Sequence, residues 1–304
     1  MNIGILYSRI RKDEKLLLSE LRDRGHEVTK IDVRRQQFGL TDPPAAFADV
    51  DLVVDRCLAT SRSIYATQFV EAYGIPVVNS PETAQVCADK AKNSLALAGA
   101  GVPTPETTVA FTKDAALEAI EAFGYPCVLK PVVGSWGRLM AKIDNRNAAE
   151  AILEHKETLG HYEHKVFYVQ EYVEKGGEDI RVLATDGTPV AAMVRSSDHW
   201  ITNAAKGAET DEFGLDEEAR ELVERASTAV GGGLLGVDLM ETEDVPDGES
   251  GSSQTESGPR YTVHEVNHTV EFKALNDASD VDVPARVVDW LEDKAESVGA
   301  EVDR

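Results

Sequence analysis

The sequence predicts an α/β fold in which a small parallel-sheet unit precedes two α+β units. Strands and helices alternate over the first 85 residues, beginning with the strand MNIGILYS and the amphipathic helix KDEKLLLSELRDRG. This alternation is typical of a parallel sheet with helices on both faces. A β-α-β-β-α-β order follows from about residue 105 to 173, and strand-rich segments come after it. The predicted domains are residues 1–85, 86–173 and 174–304.

Each element is predicted from the period of its apolar residues and from its boundaries. In the first unit, HEVTKIDV, DVDLVVDRC and GIPVVN are strands, and TSRSIYATQFVEAYG is a helix. The segment PETAQVCADKAKNSLALAGAGV is predicted to be one long helix, with Pro81 near its start. In the second unit, KDAALEAIEAFG and NRNAAEAILEHKETLG are helices, and YPCVLKPVV, RLMAKI and KVFYVQEYV are strands.

The third unit is predicted to contain four strands and two helices. The strands are DIRVLAT, TPVAAMVRSS, LLGVDLMET and RYTVHEVNHTVEF, the first helix is DEEARELVERASTAVG, and the last helix follows Pro284. Residues 243–260 are polar and acidic, which predicts a mobile hairpin loop. A loop that docks a partner is the alternative.

The charge and the cysteines limit the protein's partners and compartment. The 304-residue chain has a net charge of −23, which disfavours duplex nucleic acid and anionic membranes. Such a surface suits concentrated salt, because salt screens self-repulsion. Three cysteines without metal-ligand spacing indicate reduced thiols. No secretory signal or apolar run of about 18 residues is present, so we expect a cytoplasmic protein.

Three oxygen-bearing side chains on two strands suggest a metal site. Asp238 lies in GVDLM, and Glu265 and Asn267 lie in HEVNH. Alternation places Glu265 and Asn267 on one face of their strand, so pairing of the two strands would bring three ligands together. Mg²⁺ favours such ligands together with phosphate oxygens. A solvated acidic sheet face is the alternative, but the apolar neighbours favour the metal, because an embedded charge needs a partner.

A glycine loop follows an apolar strand in VLKPVVGSWGRL, residues 128–139. Gly134 and Gly137 free backbone amides that can face an anion, and Lys130 ends the strand before them. Together with Lys90, this lysine suits a polyphosphate. The loop is neither a Walker A motif nor a dinucleotide fingerprint. The alternative is a simple hairpin turn in which Trp136 serves as packing.

A second group of candidates follows the strand that contains QEYV. The backbone of this strand end can hold an adenine edge with Glu171 at the mouth, and Asp179 can bind ribose hydroxyls. Arg181 and Arg195 lie on neighbouring predicted strands, where either can stabilise a phosphoryl group in transfer. Considered singly, each arginine is more simply explained by an ion pair with one of the many carboxylates.

In this order, DKAKNS, VLKPVVGSWGR, VQEYV…DIRV, VDL and EVNHTVEF resemble the ATP-grasp superfamily of carboxylate–amine ligases. Within it, the chain is similar to the ribosomal-protein glutamate ligase branch. Within that branch, GSWGRL, HKETLG, QEYVEK, SDHWITN and EVNHTVEFK resemble ligases that load an amino acid onto an amino-group carrier protein, the LysX/ArgX type. The resemblance spans nearly the whole chain and implies an ATP-grasp fold, with ATP enclosed between two α+β subdomains.

The resemblance also implies the reaction, its cofactors and its partner. ATP and Mg²⁺ activate the side-chain carboxylate of the carrier's C-terminal glutamate as an acyl phosphate, which the α-amino group of a free amino acid attacks. The implied partner is a small, acidic, zinc-bound LysW-like carrier, and the implied assembly is a homo-oligomer. Closure of the glycine loop excludes water, with Trp136 as a rigid part of the lid or a contact for the carrier's tail.

Roles are carried over by position. The ATP-binding residues implied are Lys90, Lys130, Gly134, Ser135, Trp136, Gly137, Arg138, Gln170, Glu171, Tyr172, Val173 and Asp179. The residues at the transfer point are Arg181, Arg195 and Asn203, and the magnesium ligands are Asp238, Glu265 and Asn267. The substrate residues are His268, Thr269 and Glu271 for the amino acid, and His199, Trp200 and Asn203 near the acceptor site. For His199, a plain surface histidine is the alternative.

Two features depart from the family pattern. The insertion at 243–260 is not typical of thermophilic members, and Ala274-Leu275 matches neither the pair expected for α-aminoadipate nor that expected for glutamate. We favour glutamate, hence arginine biosynthesis, with α-aminoadipate and lysine biosynthesis, or both, as alternatives. Two further hypotheses are a ligase that adds glutamate to a ribosomal protein or a cofactor tail, and a nucleotide-binding protein without catalysis.

Overall fold

A computed structural model describes most of the chain and arranges it around three β-sheets. The described residues are 1–58, 60–134, 139–158, 165–197, 199–200, 202, 209–242 and 260–302, with side chains described to residue 297. One sheet is parallel and two are antiparallel, so the class is α/β with α+β units, as predicted.

The first sheet is fully parallel and has helices on both faces, as predicted. Its strands are β1 (Asn2–Tyr7), β2 (Glu27–Asp32), β3 (Leu52–Arg56) and β4 (Val77–Val78), in the order β2-β1-β3-β4. Helix α1 (Lys12–Asp23) packs on Ile3 and Ile5. Helix α2 (Thr60–Ala72) packs on the opposite face, against Leu6 and Val53.

The prediction of one long helix after this sheet is wrong. The structure divides this segment at Asp89 into α3 (Pro81–Ala88) and α4 (Lys90–Gly99). Asp89 has extended backbone angles, and its carboxylate accepts hydrogen bonds from the amides of Ala91 and Lys92. Aspartate favours this capping geometry over a helix interior, because its side chain competes for backbone amides. Lys90 thereby begins a helix, and its amide donates to the Val132 carbonyl at 2.8 Å.

The second sheet confirms the predicted β-α-β-β-α-β order. Its elements are β5 (Thr107–Ala110), α5 (Lys113–Phe123), β6 (Cys127–Lys130), β7 (Ala141–Ile143), α6 (Arg146–Thr158) and β8 (Phe167–Glu171). The strands lie antiparallel in the order β5-β8-β6-β7. The glycine loop therefore connects the neighbouring strands β6 and β7.

The third sheet is antiparallel and has five strands. They are β9 (Glu178–Thr185), β10 (Thr188–Ser196), β11 (Glu209–Glu212), β12 (Leu234–Glu241) and β13 (Tyr261–Asn267), in the order β11-β10-β9-β12-β13. The helices are α7 (Glu217–Ala229), α8 (Lys273–Ala278) and α9 (Val283–Val302). The sequence predicted neither β11 nor α8, because ETDE has no apolar residue and α8 has only six residues. The last predicted strand is also too long, since β13 ends at Asn267.

The first and third sheets share one core. Leu183 and Met193 on the third sheet pack in the same cluster as Ile3 and Leu17 of the first unit and Leu291 of α9. This shared core brings the start of α1 against the segment that follows β13. The segment after β13 forms one wall of the site described below.

The remaining predictions for the scaffold concern a loop, the cysteines and membrane spans. The Thr242 amide donates to the Arg260 carbonyl at 2.9 Å, so the ends of the acidic insertion are adjacent, but residues 243–259 lie outside the described part of the chain. The three cysteines are free and buried. Within the described residues, no helix has both the length and the apolar character needed to cross a membrane.

Candidate functional site

The predicted metal ligands come together on the third sheet. Strands β12 and β13 pair antiparallel, with Asp238 opposite Glu265 and Gly236 opposite Asn267. The three polar side chains are half-buried. The Asn267 amide nitrogen lies 3.4 Å from an Asp238 oxygen. The alternation from which the sequence predicted this convergence is therefore confirmed.

Two arginines from the same sheet engage Asp238. Arg181 Nη2 donates to Asp238 Oδ2 at 2.8 Å, and Arg195 Nη2 donates to Oδ1 at 3.1 Å. Arg195 also pairs with Asp179 on the adjacent strand. Burial opposes ionisation of Asp238, but the two guanidinium groups hold its pKa below the usual value. Both arginines thus form the ion pairs that the sequence offered as their simpler explanation.

Two lysines from other helices and strands lie near the predicted metal ligands. Lys90 Nζ donates to Glu265 Oε1 at 3.0 Å and to the Gly134 carbonyl at 2.9 Å, so it connects β13 to the glycine loop. Lys130 at the end of β6 is buried and donates to Gln170. Burial lowers the pKa of Lys130 to about 8, although Glu265 acts in the opposite direction.

Lys175, which the sequence reasoning missed, completes this arrangement. Its Nζ lies 3.5 Å from Asp179 Oδ2 and also donates to Thr202. We call the following connected group the cationic cluster: Lys90, Lys130, Lys175, Arg181 and Arg195 with Asp179, Asp238 and Glu265. Its five cations and three carboxylates give a formal charge of +2 in a chain of net charge −23. Such a local excess suits a polyphosphate.

The donor set fits Mg²⁺ by its chemistry. It offers two carboxylates and an amide oxygen, which are the hard ligands that Mg²⁺ takes together with phosphate oxygens and water. In this structure the carboxylates of Asp238 and Glu265 pair with cationic side chains instead. Within the described residues, no group of three or more His, Cys, Asp and Glu side chains is arranged to hold a metal by itself. Phosphate oxygens would therefore have to complete the coordination.

A pocket adjoins the cationic cluster, shares Glu265 with it and is also lined by the predicted metal ligand Asn267. Leu58, Thr60 and Arg11 from the first unit form one side. The predicted amino-acid residues form the other side, namely His268, Thr269 and Glu271. The structure therefore brings these three together beside the predicted metal ligands.

His268 is fixed from the first unit. Its Nε2 lies 3.2 Å from Ser63 Oγ, which also donates to Asp55, and its carbonyl accepts from Asn79 Nδ2 at 2.6 Å. Burial lowers the pKa of His268, so its imidazole is neutral at pH 7. The buried hydroxyl oxygen of Thr269 has no hydrogen-bond partner within the described residues. An unpaired buried hydroxyl in a pocket wall is available to a ligand.

The remaining predicted ATP residues lie around the end of β8. Glu171 Oε1 accepts from the Glu106 amide at 2.7 Å, and the Tyr172 ring lies 4.0 Å from Lys142 Nζ. Val173 lies beyond the strand end. Gln170 is buried, and its amide nitrogen donates to the Tyr168 hydroxyl at 2.8 Å, which leaves its oxygen for Lys130.

Some predicted residues are exposed or fall outside the described chain. His199 is exposed, and its amide donates to Ser197 Oγ at 3.1 Å. Trp200 is half-buried. Five predicted residues lie outside the described part of the chain: Ser135, Trp136, Gly137, Arg138 and Asn203.

The sequence reasoning missed several residues with direct contacts at the site, among them Arg11, Ser63 and Lys175. Lys175 lies four residues before Asp179, so its place was open to inference. Arg11 and Ser63 meet residues more than 200 positions away, and no local pattern indicates such contacts.

Family models match the chain over most of its length. Residues 3–86 match the LysX preATP-grasp domain, and residues 87–291 match the RimK-like ATP-grasp domain. The boundary between the two matches lies within α3, before the cationic cluster begins at Lys90.

Curated relatives cover most of this chain. The alpha-aminoadipate–LysW ligase LysX of Saccharolobus solfataricus is 35% identical, over 86% of this chain and 90% of the relative. The glutamate–LysW ligase ArgX of Sulfolobus acidocaldarius is 28% identical, over 96% and 98%. A tetrahydromethanopterin:alpha-L-glutamate ligase of Methanosarcina acetivorans is 32% identical, over 73% and 72%.

Solved structures confirm the fold. A RimK-domain ATP-grasp protein from Sphaerobacter thermophilus has a TM-score of 0.77 and 27% identity, covering 95% of this chain and 99% of its own. A D-alanine–D-alanine ligase from Bacillus anthracis, solved with ATP, has a TM-score of 0.69 and 16% identity, with 99% of both chains covered. The predicted ATP-grasp fold is therefore confirmed.

Proposed function

Because the chain belongs to the RimK-like ATP-grasp family, we propose that it loads glutamate or α-aminoadipate onto an amino-group carrier protein. The α-amino group of the free amino acid is joined to the side-chain carboxylate of the carrier's C-terminal glutamate. ATP is converted to ADP and phosphate through an acyl-phosphate intermediate. The observation that carries this proposal is the shared wall, since the cationic cluster and the amino-acid pocket share Glu265, and Asn267 of the pocket lies beside Asp238 of the cluster.

The cationic cluster serves the phosphoryl transfer. Lys90, Lys130 and Lys175 bind phosphate oxygens, and their burial excludes water that would weaken these contacts. Arg181 and Arg195 stabilise the charge that develops on the transferring group. Asn203, outside the described residues, is proposed for the same region.

Magnesium belongs to this proposal. Asp238, Glu265 and Asn267 would hold it, and when bound it neutralises phosphate charge. The arginines that now pair with Asp238 would then be free to contact phosphate instead, which keeps every charge of the cluster partnered.

The pocket serves the attacking amine. His268 is neutral and held by Ser63, and the Thr269 hydroxyl has no partner among the described residues, so both can bind polar groups of the amino acid. Glu265 belongs to the cluster and also lines the pocket, which supports binding of the amino acid next to the proposed transfer point. His199 and Trp200 are proposed for the acceptor side.

The carrier, the compartment and the assembly complete the proposal. The carrier is a small acidic protein, so binding to this chain of net charge −23 depends on local basic patches and on salt. The reaction takes place in the cytoplasm, in arginine or lysine biosynthesis. A homo-oligomer is expected, and light scattering after gel filtration would test this.

The test is ADP release in concentrated potassium chloride with Mg-ATP and a carrier that ends in glutamate. Glutamate and α-aminoadipate are supplied separately, and a carrier without its last residue is the control. We expect release with glutamate, as favoured from the sequence, while release with α-aminoadipate assigns the lysine pathway. No release with either amino acid and a folded carrier would overturn the proposal.

A second candidate is a ligase that adds glutamate to a cofactor tail. The 32% identity to the tetrahydromethanopterin:alpha-L-glutamate ligase favours it, although that match covers only 73% of this chain. Mass spectrometry separates the two activities. A cofactor or ribosomal-protein ligase would extend its acceptor without the carrier, whereas the carrier ligase adds one residue to the carrier alone.

A further inference from the structure

Arg11 is held against the pocket by a buried carboxylate. It is the N-cap residue of α1, and its Nε and Nη2 donate to the two oxygens of Glu14 at 3.0 and 2.7 Å. Glu14 is fully buried and also pairs with Arg56 at 3.2 Å. One edge of the Arg11 guanidinium is therefore fixed, and the group has a defined orientation.

The remaining nitrogen of Arg11 makes a more exposed contact. Nη1 donates to Glu271 Oε1, and both residues line the pocket. The Glu271 side chain is 46% exposed, whereas that of Arg11 is 15% exposed. An ion pair with one exposed, flexible member is weak, because water screens it and the side chain loses freedom. The Glu271 carboxylate can therefore leave Arg11 at little cost.

The charges of the pocket make Arg11 distinctive. Of the described residues that line the pocket, Arg11 alone carries a permanent positive charge, whereas Glu265 and Glu271 are acidic. A substrate with two carboxylates meets repulsion in such a pocket unless a cation receives it. The Nη1 group of Arg11 is a charged donor whose direction is fixed by Glu14, and it suits a carboxylate as a charge-assisted hydrogen bond.

We propose that Arg11 binds a carboxylate of the free amino acid, and that this carboxylate replaces Glu271 on Nη1. The inference rests on the proposed ligase function and names a substrate-binding residue supplied by the first unit. It also gives Glu271 a defined part, as the internal carboxylate that competes with the substrate. A carboxylate is the shared chemistry, and the test below distinguishes the α-carboxylate from the side-chain carboxylate.

The experiment pairs Arg11 variants with substrates that lack one carboxylate. KM and kcat of Arg11→Met and Arg11→Lys are measured with the amino acid that the wild type accepts, its side-chain amide and its α-amide. Arg11→Met should raise KM for the diacid about 10- to 100-fold, the range of a charged hydrogen bond. One of the two amides lacks the carboxylate that Arg11 binds. Arg11→Met should not change KM for that amide, and this result identifies the carboxylate that Arg11 binds in the diacid. KM for ATP should stay unchanged.

A second variant keeps the test decisive if Arg11→Met does not fold. Glu271→Gln removes the competing carboxylate from an exposed position, so KM for the diacid should fall severalfold. Glu150→Gln, in an exposed ion pair on α6, is the matched control and should change nothing. A rise in KM with Glu271→Gln would overturn the proposal that Glu271 competes with the substrate for Arg11.

Failure of this inference is distinct from failure of the ligase proposal. If the wild type releases no ADP with any amino acid, the proposed function fails. If the wild type is active but Arg11→Met raises KM equally for the diacid and both monoamides, or for none of them, Arg11 does not bind a carboxylate. The ligase proposal then stands unchanged.

Discussion

The cationic cluster and the pocket share Glu265, yet they are built in different ways. The cluster lies largely on strands of the second and third sheets, and on the third sheet Asp238 lies opposite Arg181 and Arg195 lies opposite Asp179. The pocket is lined by residues at the starts of α1 and α2, at the ends of α3 and β13, and in the segment after β13. One region therefore lies largely on strands, whereas the other is assembled from the ends of elements and the segments that connect them.

The polar groups of the cluster and of the pocket also differ in whether they have partners. In the cluster, buried charges have partners of opposite sign, and Lys130 is held by Gln170. In the pocket, Thr269 has a buried hydroxyl without a partner in the described chain, and the Arg11–Glu271 pair is half-exposed. A cluster of side chains held by hydrogen bonds and ion pairs to one another suits chemistry common to a family, whereas connecting segments suit substrate choice.

The largest expected effect comes from Asp238, which connects both arginines to the proposed metal. Asp238→Asn keeps the shape but removes the charge, so kcat should fall about 100- to 1000-fold, the range for removal of a preorganised electrostatic group. ADP release at saturating substrates measures this. Asp216→Asn is the control, because asparagine also caps helices and Asp216 caps α7 away from the site. If Asp238→Asn retained more than a tenth of kcat, the assignment of Asp238 to the phosphate chemistry would be wrong.

A glycine substitution tests the hydrogen bonds by which Asn79 connects β12 to His268 of the pocket. Gly233 has a φ of +112°, and an added Cβ would lie 2.1 Å from Asn79 Oδ1. Asn79 holds both Leu234 and His268, at 2.9 and 2.6 Å. Gly233→Ala should therefore lower the free energy of unfolding by about 2 kcal/mol or more, from backbone strain and loss of these bonds. Urea unfolding measures the change.

The matched control for this prediction is Gly99→Ala. Gly99 ends α4, and an added Cβ meets nothing within 4 Å. Alanine is the better helix former, so this variant should be neutral or slightly stabilised. Equal effects of the two substitutions would mean that Asn79 does not hold the regions together.

The comparison also shows what the sequence could predict. Asp238, Glu265 and Asn267 were found because alternation along strands is a local property with a period of two. Their pairing needed only that β12 and β13, which follow one another along the chain, be antiparallel neighbours in the sheet. The parallel first sheet and the β-α-β-β-α-β unit were predicted for the same local reasons.

The unpredicted features depend on contacts that are distant in sequence or on short polar segments. Arg11 meets Glu271 at a separation of 260 positions, and Ser63 meets His268 at 205. The periodicity of apolar residues along the chain cannot predict such contacts, since they depend on how the first unit packs on the third. The break at Asp89 was missed for another reason, because its capping side chain overrode the helical pattern around it.

The pH dependence of ATP use tests the cluster alone. Burial lowers the pKa of Lys130 to about 8, so its ammonium group is charged below that pH and neutral above it. kcat/KM for ATP should therefore fall as pH rises, by about fivefold between pH 8 and pH 9. Lys130→Arg keeps the charge over this range and should remove the inflection. A wild-type profile that stays flat to pH 10 would contradict the role of Lys130.

The smallest expected effects come from two buried serines, one on each side of the shared wall. Ser63 bonds His268 at the pocket, and Ser94 bonds the Tyr168 hydroxyl at 2.8 Å, behind Gln170 and Lys130. Ser94→Ala loses the bond to Tyr168, and Ser63→Ala loses the bonds to His268 and Asp55, of which the one to His268 bears on the pocket, so each effect on KM should be about three- to tenfold. Ser63→Ala should raise KM for the amino acid and leave KM for ATP unchanged, and Ser94→Ala should do the reverse. If both variants altered both constants equally, the cluster and the pocket would act as one unit, and the separation of common chemistry from substrate choice would not hold.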